Sequence, residues 1–200
     1  MQLFYSGNSP YARRARLAVR GAGLSNRVAE IDVAPLSQED HLLLGHGPGG
    51  KVPGLLTDGG TFLCETLIIT RYLNDASGGK LLPGDAAERE KVLEIEGIGS
   101  LLMDSLFIRS HEIRRDANEQ SPALVTKEAK RAARCYDALE GKIGQCGEGL
   151  NLGSIAVVAA LGYADWRHPG DEWRRGRDRL AGWFETMMKN PAVAETKPVF

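Results

Sequence analysis

The first 33 residues limit the fold more than any other part of the chain. Residues 2 to 6 read as a short strand, residues 9 to 22 carry a helical pattern closed by Gly21 and Gly23, and "NRVAEIDV" at 26 to 33 reads as a second strand, with Ala29, Ile31 and Val33 on one face. Two strands joined by a helix of that length pair in parallel, because a helical crossover is the usual right-handed link. Next, "VPGLLTDGGTFL" sets two short apolar runs around Asp58-Gly59-Gly60, which predicts an antiparallel hairpin. "ETLIITRYLNDA" then has helical spacing, with Leu67, Ile68, Tyr72 and Leu73 expected on the buried face. The first module is therefore βαβ followed by ββα. Residues 37 to 47, with His41, Leu42, Leu43 and Leu44, fit a loop or a short helix ahead of the breaker-rich "GHGPGGKVP".

The texture changes at "SGGKLLPGDAAERE". A linker over 78–87 is expected to divide a domain at 1–77 from an almost wholly helical one at 88–200. Helix-period apolar positions recur over 88 to 115, 126 to 145, 154 to 166 and 176 to 189, a bundle of four or five helices. "LNLGSIAVVAALGYADW" is so apolar that it should be the central helix, capped by Asn151 or Ser154.

Composition narrows the function. The 25 basic and 26 acidic side chains leave a formal charge of −1, so no net field draws in nucleic acid or an anionic membrane. "WRRGRDR" at 173–179 is read as a solvated helix face. No apolar run reaches the roughly 18 to 20 residues of a membrane span, and "MQLFYSGNSP" lacks signal-peptide blocks, so a cytoplasmic address is expected. Cys64, Cys135 and Cys146 are odd in number and widely spaced, which reads as reduced thiols, with Cys64 a small buried hydrophobe. The histidines at 41, 46, 111 and 168 show no ligand spacing, and no metal is expected.

"FYSGNSPYARRARLAV" places Ser9 as a helix N-cap, with Pro10 at the first helical position. The same geometry aims backbone N–H groups and a hydroxyl at any anion that docks there. With "SPYARR" after strand one, "GPGGKVP" and "GKVPGLL" before the hairpin, "FLCETLIITRYL" opening the next helix and "LNLGSIAVVAALGY" in an all-helical second half, the whole chain resembles the glutathione S-transferase superfamily. The resemblance implies a thioredoxin-like N-terminal domain followed by an all-helical C-terminal bundle. It also implies a homodimer, glutathione as co-substrate, and conjugation to a small hydrophobic electrophile, as in detoxification.

Carried onto this chain, the resemblance gives Ser9 the role of hydrogen-bond donor to the glutathione thiolate, with Tyr11 in place of the usual Phe. Tyr5 is the rival donor. Lys51 would meet the glycine carboxylate, and Val52, before a proline (Pro53) that is cis in the family, would pair with the cysteinyl backbone. Glu65 would take the ammonium. Thr66, where Ser is commoner, would offer hydroxyl and amides to the head carboxylate. The electrophile pocket is expected from Tyr11, Met103, Phe107, His111 and Trp166, with Asp104 reaching an ammonium across a dimer interface. A donor at Ser9 has a physical purpose: a free thiol titrates near 8.5, and lowering it by about two units requires roughly 2.7 kcal/mol. Val157 stands where the family often has Asp, so the reciprocal half of a capping box is expected to be missing. A non-catalytic binding or assembly module on the same fold, or peroxidase, reductase or lyase chemistry at the same site, are the alternatives.

Overall fold

The computed structural model describes residues 1–33, 41–147 and 149–198. Strand β1 (Gln2–Tyr5) lies parallel to β2 (Ala29–Asp32), Gln2 opposite Ala29 and Tyr5 opposite Asp32, and helix α1 (Pro10–Gly21) makes the crossover. β3 (Gly54–Leu56) runs antiparallel both to β1 and to its hairpin partner β4 (Phe62–Cys64), so the sheet order is β2-β1-β3-β4. β2 is an edge strand. That is why Ala29 is exposed and Ile31 and Val33 are only half-buried, where the sequence pattern put a buried face.

Helix α1 forms as the sequence predicts. Ser9 Oγ accepts from the Ala12 N–H at 3.2 Å and Pro10 opens the first turn. Gly23, at φ +69°, turns the chain out of the helix in a conformation that favours glycine. Helix α2 (Thr66–Ala76) buries Ile69, Thr70 and Leu73. Leu67 and Ile68, expected inside, are 51% and 55% exposed. Of the segment at 37–47, residues 37–40 lie outside the described residues, and Leu42–Gly45 form a single 3-10 turn with Leu43 buried.

Among the described residues the second half holds five α-helices: α3 (Ala86–Ile113), α4 (Pro122–Lys142), α5 (Leu152–Arg167), α6 (Asp178–Met187) and α7 (Pro191–Glu195). Among the described residues no helix is long and apolar enough to cross a membrane. α3 spans about 42 Å at 1.5 Å per residue. α5 is the central helix, buried continuously from Leu152 to Leu161. Its capping box is complete, against expectation: Asn151 Oδ1 accepts from Ser154 N at 2.9 Å, and Ser154 Oγ accepts from Asn151 N at 2.8 Å. The box sits one turn earlier than the family pattern implied, and Val157 belongs to the core. α5 packs close to α3 because Gly153 and Gly99 face the partner helix: a Cβ on Gly153 would sit 2.9 Å from the Val92 carbonyl, and one on Gly99 3.0 Å from Ala156 Cβ. The "WRRGRDR" run is no helix face, since most of it precedes α6 as a turn in which Arg174 pairs with Asp165 and Arg177 with Asp137.

Two consecutive arginines on α1 join the halves. Arg14, 4% exposed, reaches α3 through Glu96 Oε1 at 2.6 Å and Ser100 Oγ at 2.7 Å. Arg13, 3% exposed, packs on Gly162 of α5, where any Cβ would overlap its Nη1, and donates to the Val193 carbonyl of α7 at 3.3 Å. The N-terminus of α1 is thereby held against the helical half.

Candidate functional site

A cleft of about 710 Å³ opens between the halves, in the range of small-molecule sites. Its floor is the start of α1. Ser6, Asn8, Ser9, Pro10 and Tyr11 line it, and Ser9 combines two capacities. Its oxygen accepts from Ala12 N, which leaves the O–H proton to be donated elsewhere. Capping α1 and offering a donor to an anion are therefore compatible uses of one hydroxyl. Tyr5 is not among the lining residues; its ring lies 4.2 Å beneath the Arg16 guanidinium.

One wall comes from the loop and strands of the first half. Gly49, Gly50, Lys51, Val52 and Pro53 line it, with the Val52–Pro53 peptide cis and the Lys51 side chain exposed. Phe62 and Cys64 from β4 continue the wall, and Phe62 lies close over Gly54, where a side chain would collide with its ring. Cys64 is exposed in the cleft, which corrects the reading of it as a buried hydrophobe. Glu65 and Thr66 complete this side. Glu65 sits at φ +69°, a left-handed conformation that costs a non-glycine residue about 1–2 kcal/mol. The Glu65 side chain makes no cap hydrogen bond to α2, whose first residue, Thr66, lines the cleft.

The opposite wall is helical. Asp104, Phe107, His111 and Arg114 form an i, i+3, i+7, i+10 stripe on α3 and its C-cap, joined by Tyr163 and Arg167 of α5. The Tyr11 hydroxyl donates to Asp104 Oδ1 at 2.6 Å, so Asp104 is engaged within its own cleft. Burial, with Asp104 alongside, pushes the Tyr11 phenol far above its ordinary value and keeps it protonated. Phe107 packs edge-on to Tyr11 at 5.1 Å and lies 4.0 Å from the His111 ring. His111 Nδ1 is 2.9 Å from the Phe107 carbonyl, which only accepts, so the proton is on Nδ1 and Nε2 is the free acceptor of the neutral ring.

Ser9, Tyr11, Lys51, Val52, Pro53, Glu65, Thr66, Phe107 and His111 thus lie around one cleft. Met103 and Trp166 do not line it. Met103 is 2% exposed in the core, and Trp166 is half-buried, stacked under Arg167 at 3.4 Å. Arg114, Tyr163 and Arg167 were missed, although the spacings from Phe107 to Arg114 and from Tyr163 to Arg167 put each pair on one helix face. Among the described residues no cluster of His, Cys, Asp or Glu is arranged to hold a metal ion.

Residues 8–76 match the model described as "Glutathione S-transferase, N-terminal domain", and residues 122–186 match "Glutathione S-transferase, C-terminal domain". The chain belongs to the glutathione S-transferase family. Within this family it is 27% identical, over 99% of its length and 98% of the relative's, to the "Uncharacterized GST-like protein YibF" of Escherichia coli K12. A glutathione S-transferase from Methylobacillus flagellatus KT, solved with glutathione bound, superposes with a TM-score of 0.90 at 27% identity, covering 99% of both chains. A glutathione transferase family member from Pseudomonas fluorescens Pf-5 with bound glutathione gives 0.90 at 28% identity, covering 100% of this chain and 99% of that one. That protein is also solved with bound S-(propanoic acid)-glutathione, at a TM-score of 0.86 and 27% identity, covering 100% and 97% of the chains. The glutathione S-transferase fold of this chain therefore extends over both halves, the thioredoxin-like sheet domain and the helical domain.

Proposed function

We propose that the protein is a glutathione transferase that activates the glutathione thiol in this cleft for attack on a small electrophile with an apolar body. The observation that carries the reading is Ser9: at the mouth of α1 its oxygen is satisfied by Ala12 N and its proton is free to stabilise a thiolate. Glutathione would lie along the first half's wall. Val52 would pair with the cysteinyl backbone, Lys51 would face the glycine carboxylate and Glu65 the ammonium, while the Thr66 hydroxyl and the first amides of α2 would take the head carboxylate. The relatives solved with glutathione support this seat. The thiol loses its proton to solvent and the thiolate sulfur attacks the electrophilic carbon. A C–S bond forms as the leaving group departs with its electron pair. Tyr11, Phe107 and Tyr163 offer the apolar surface for the acceptor.

The reading includes a homodimer and a cytoplasmic address. Exposed Leu67 and Ile68 on α2, with Leu101 and Ile108 on α3, supply apolar surface that a second copy would cover. Sedimentation equilibrium tests this part.

The deciding experiment is a pH titration of glutathione with the protein, followed by thiolate difference absorbance. A saturable signal with a midpoint well below the free-thiol value near 8.5 supports binding and activation together. No saturable signal at any pH rejects the transferase and leaves a binding or assembly module.

A further inference from the structure

The far end of the helical wall is cationic, although the walls leading to it are aromatic. Arg114 and Arg167 end α3 and α5, which pack side by side in the same direction: Gly153 lies against Val92, Gly99 against Ala156, and His168 Nε2 bonds the Leu106 carbonyl. Both residues line one cleft with His111. Arg14, Arg20, Arg109, Arg174 and Arg177 each hold a carboxylate. Arg114 and Arg167 form no ion pair among the described residues. Arg114 uses its Nε on the Ser110 carbonyl at 2.8 Å, and Arg167 stacks on the Trp166 ring at 3.4 Å with a buried Nε–H that has no acceptor. Cations at helix C-termini favour the helix dipole, but that effect requires neither a shared cleft nor an orphaned donor.

We infer that this end of the cleft selects electrophiles that carry a carboxylate on the side of the molecule away from the reacting carbon. The inference rests on the glutathione reading above and adds the substrate class. Two guanidinium groups, one held in plane by stacking, match the fork geometry of a carboxylate. The acidic side chains of the cleft lie elsewhere. Asp104 is ten residues from Arg114, about 15 Å along α3, beyond the screening length of about 8–10 Å, and its charge is engaged by Tyr11. Glu65 is on the opposite wall, where the proposed glutathione ammonium would lie. From Phe107 to Arg114 the axial rise is about 10 Å, which leaves room for an aryl-sized body between the sulfur and the guanidinium groups.

The test measures calorimetric affinities for S-(4-carboxybenzyl)glutathione and for the same conjugate methyl-esterified at the benzoate alone, which has nearly the same shape and keeps the glutathione charges but lacks the benzoate charge. The acid is expected to bind about tenfold tighter than the ester or better, and that ratio should shrink toward one in R114M and in R167M. A ratio at or below one in the unaltered protein, or an unchanged ratio in both variants, overturns the inference while leaving the glutathione seat standing. Binding of neither conjugate, nor of glutathione itself, overturns the glutathione reading and this inference together.

Discussion

Exchanging Ser9 for glycine separates the two uses of its hydroxyl. At an N-cap, glycine costs only a few tenths of a kcal/mol relative to serine, whereas alanine costs about 1 kcal/mol. Ser9→Gly therefore keeps α1 in place and deletes the donor, while Ser9→Ala loses both the donor and the cap that now accepts from Ala12 N. A hydrogen bond to a charged group contributes about 1.5–3 kcal/mol, which at about 1.36 kcal/mol per unit raises the bound thiol by about one to two pKa units when lost. If the wild-type midpoint lies near 6.5, a return to about 8.5 drops the thiolate at pH 7 from about three quarters to about 3%, a roughly 25-fold loss in rate. Thiolate difference absorbance across pH, urea midpoints and turnover of 1-chloro-2,4-dinitrobenzene are read on the same three proteins. Both variants should show the same raised thiol midpoint, and only Ser9→Ala a lowered urea midpoint. A Ser9→Gly protein with the wild-type thiol midpoint would remove Ser9 from the chemistry, and one as unstable as Ser9→Ala would refute the cap reasoning.

Three further tests address the scaffold and the cleft. Glu96→Gln leaves the Arg14 guanidinium buried without a charged partner, and should cost about 3–5 kcal/mol in urea unfolding; a change under about 1 kcal/mol would show that the pair does not join the halves. His168 accepts from Arg109 Nε on Nδ1, so its Nε2–H donates to the Leu106 carbonyl in the neutral ring. Burial, together with Arg109 and Arg167 and against the Leu106 and Asp171 contacts, holds it below its ordinary 6.5, so the unfolded chain takes the proton first. Stability is then full above about 6.5 and falls as the pH drops toward the folded value, a slope that His168→Asn should flatten in urea midpoints taken from about pH 7.5 to 5. Burial raises the thiols of Cys135 and Cys146, the latter to about 12, whereas Cys64 is exposed in the cleft. Iodoacetamide on the native chain should modify Cys64 alone, more slowly when glutathione is present; modification at an unchanged rate would move the tripeptide off that wall.

Residues 51–53 and 65–66 were placed through the "GKVP" and "ET" motifs that the chain shares with its family, and each is a contiguous stretch beside a strand or helix end, so the whole of it reaches the cleft together. The α3 wall was harder to read. Met103 and Asp104 are one position apart, about 100° around the helix, and that rotation separates the core from the cleft. Trp166 and Arg167 differ in the same way. Spacing gives a stripe, but what covers the stripe is decided by the neighbouring helix. α2 shows the same limit: Leu67, Ile68 and Ile69 are consecutive, so hydrophobicity could not say that only Ile69 points inward. Conversely, the parallel β1–β2 pair and the β3–β4 hairpin were readable because a helical crossover and the Asp58-Gly59-Gly60 turn each specify one pairing, whereas the β1–β3 pairing that sets Leu3 opposite Leu55 joins segments about fifty residues apart and carries no local signal.

The buried arginines of α1 set an order of assembly. Arg14 waits for Glu96 and Arg13 for Val193, which follows it by 180 residues. A growing chain presents α1 to solvent with two charges facing the surface it will later bury, and that surface stays wet until α3, α5 and α7 have all been made. The sheet half cannot reach its final state as a free fragment, and excising the helical half strands Arg13 and Arg14 without partners. Recombination that swaps one half must bring a matching Glu96, Gly162 and Val193 backbone with it, so the two walls of the cleft are inherited as one piece.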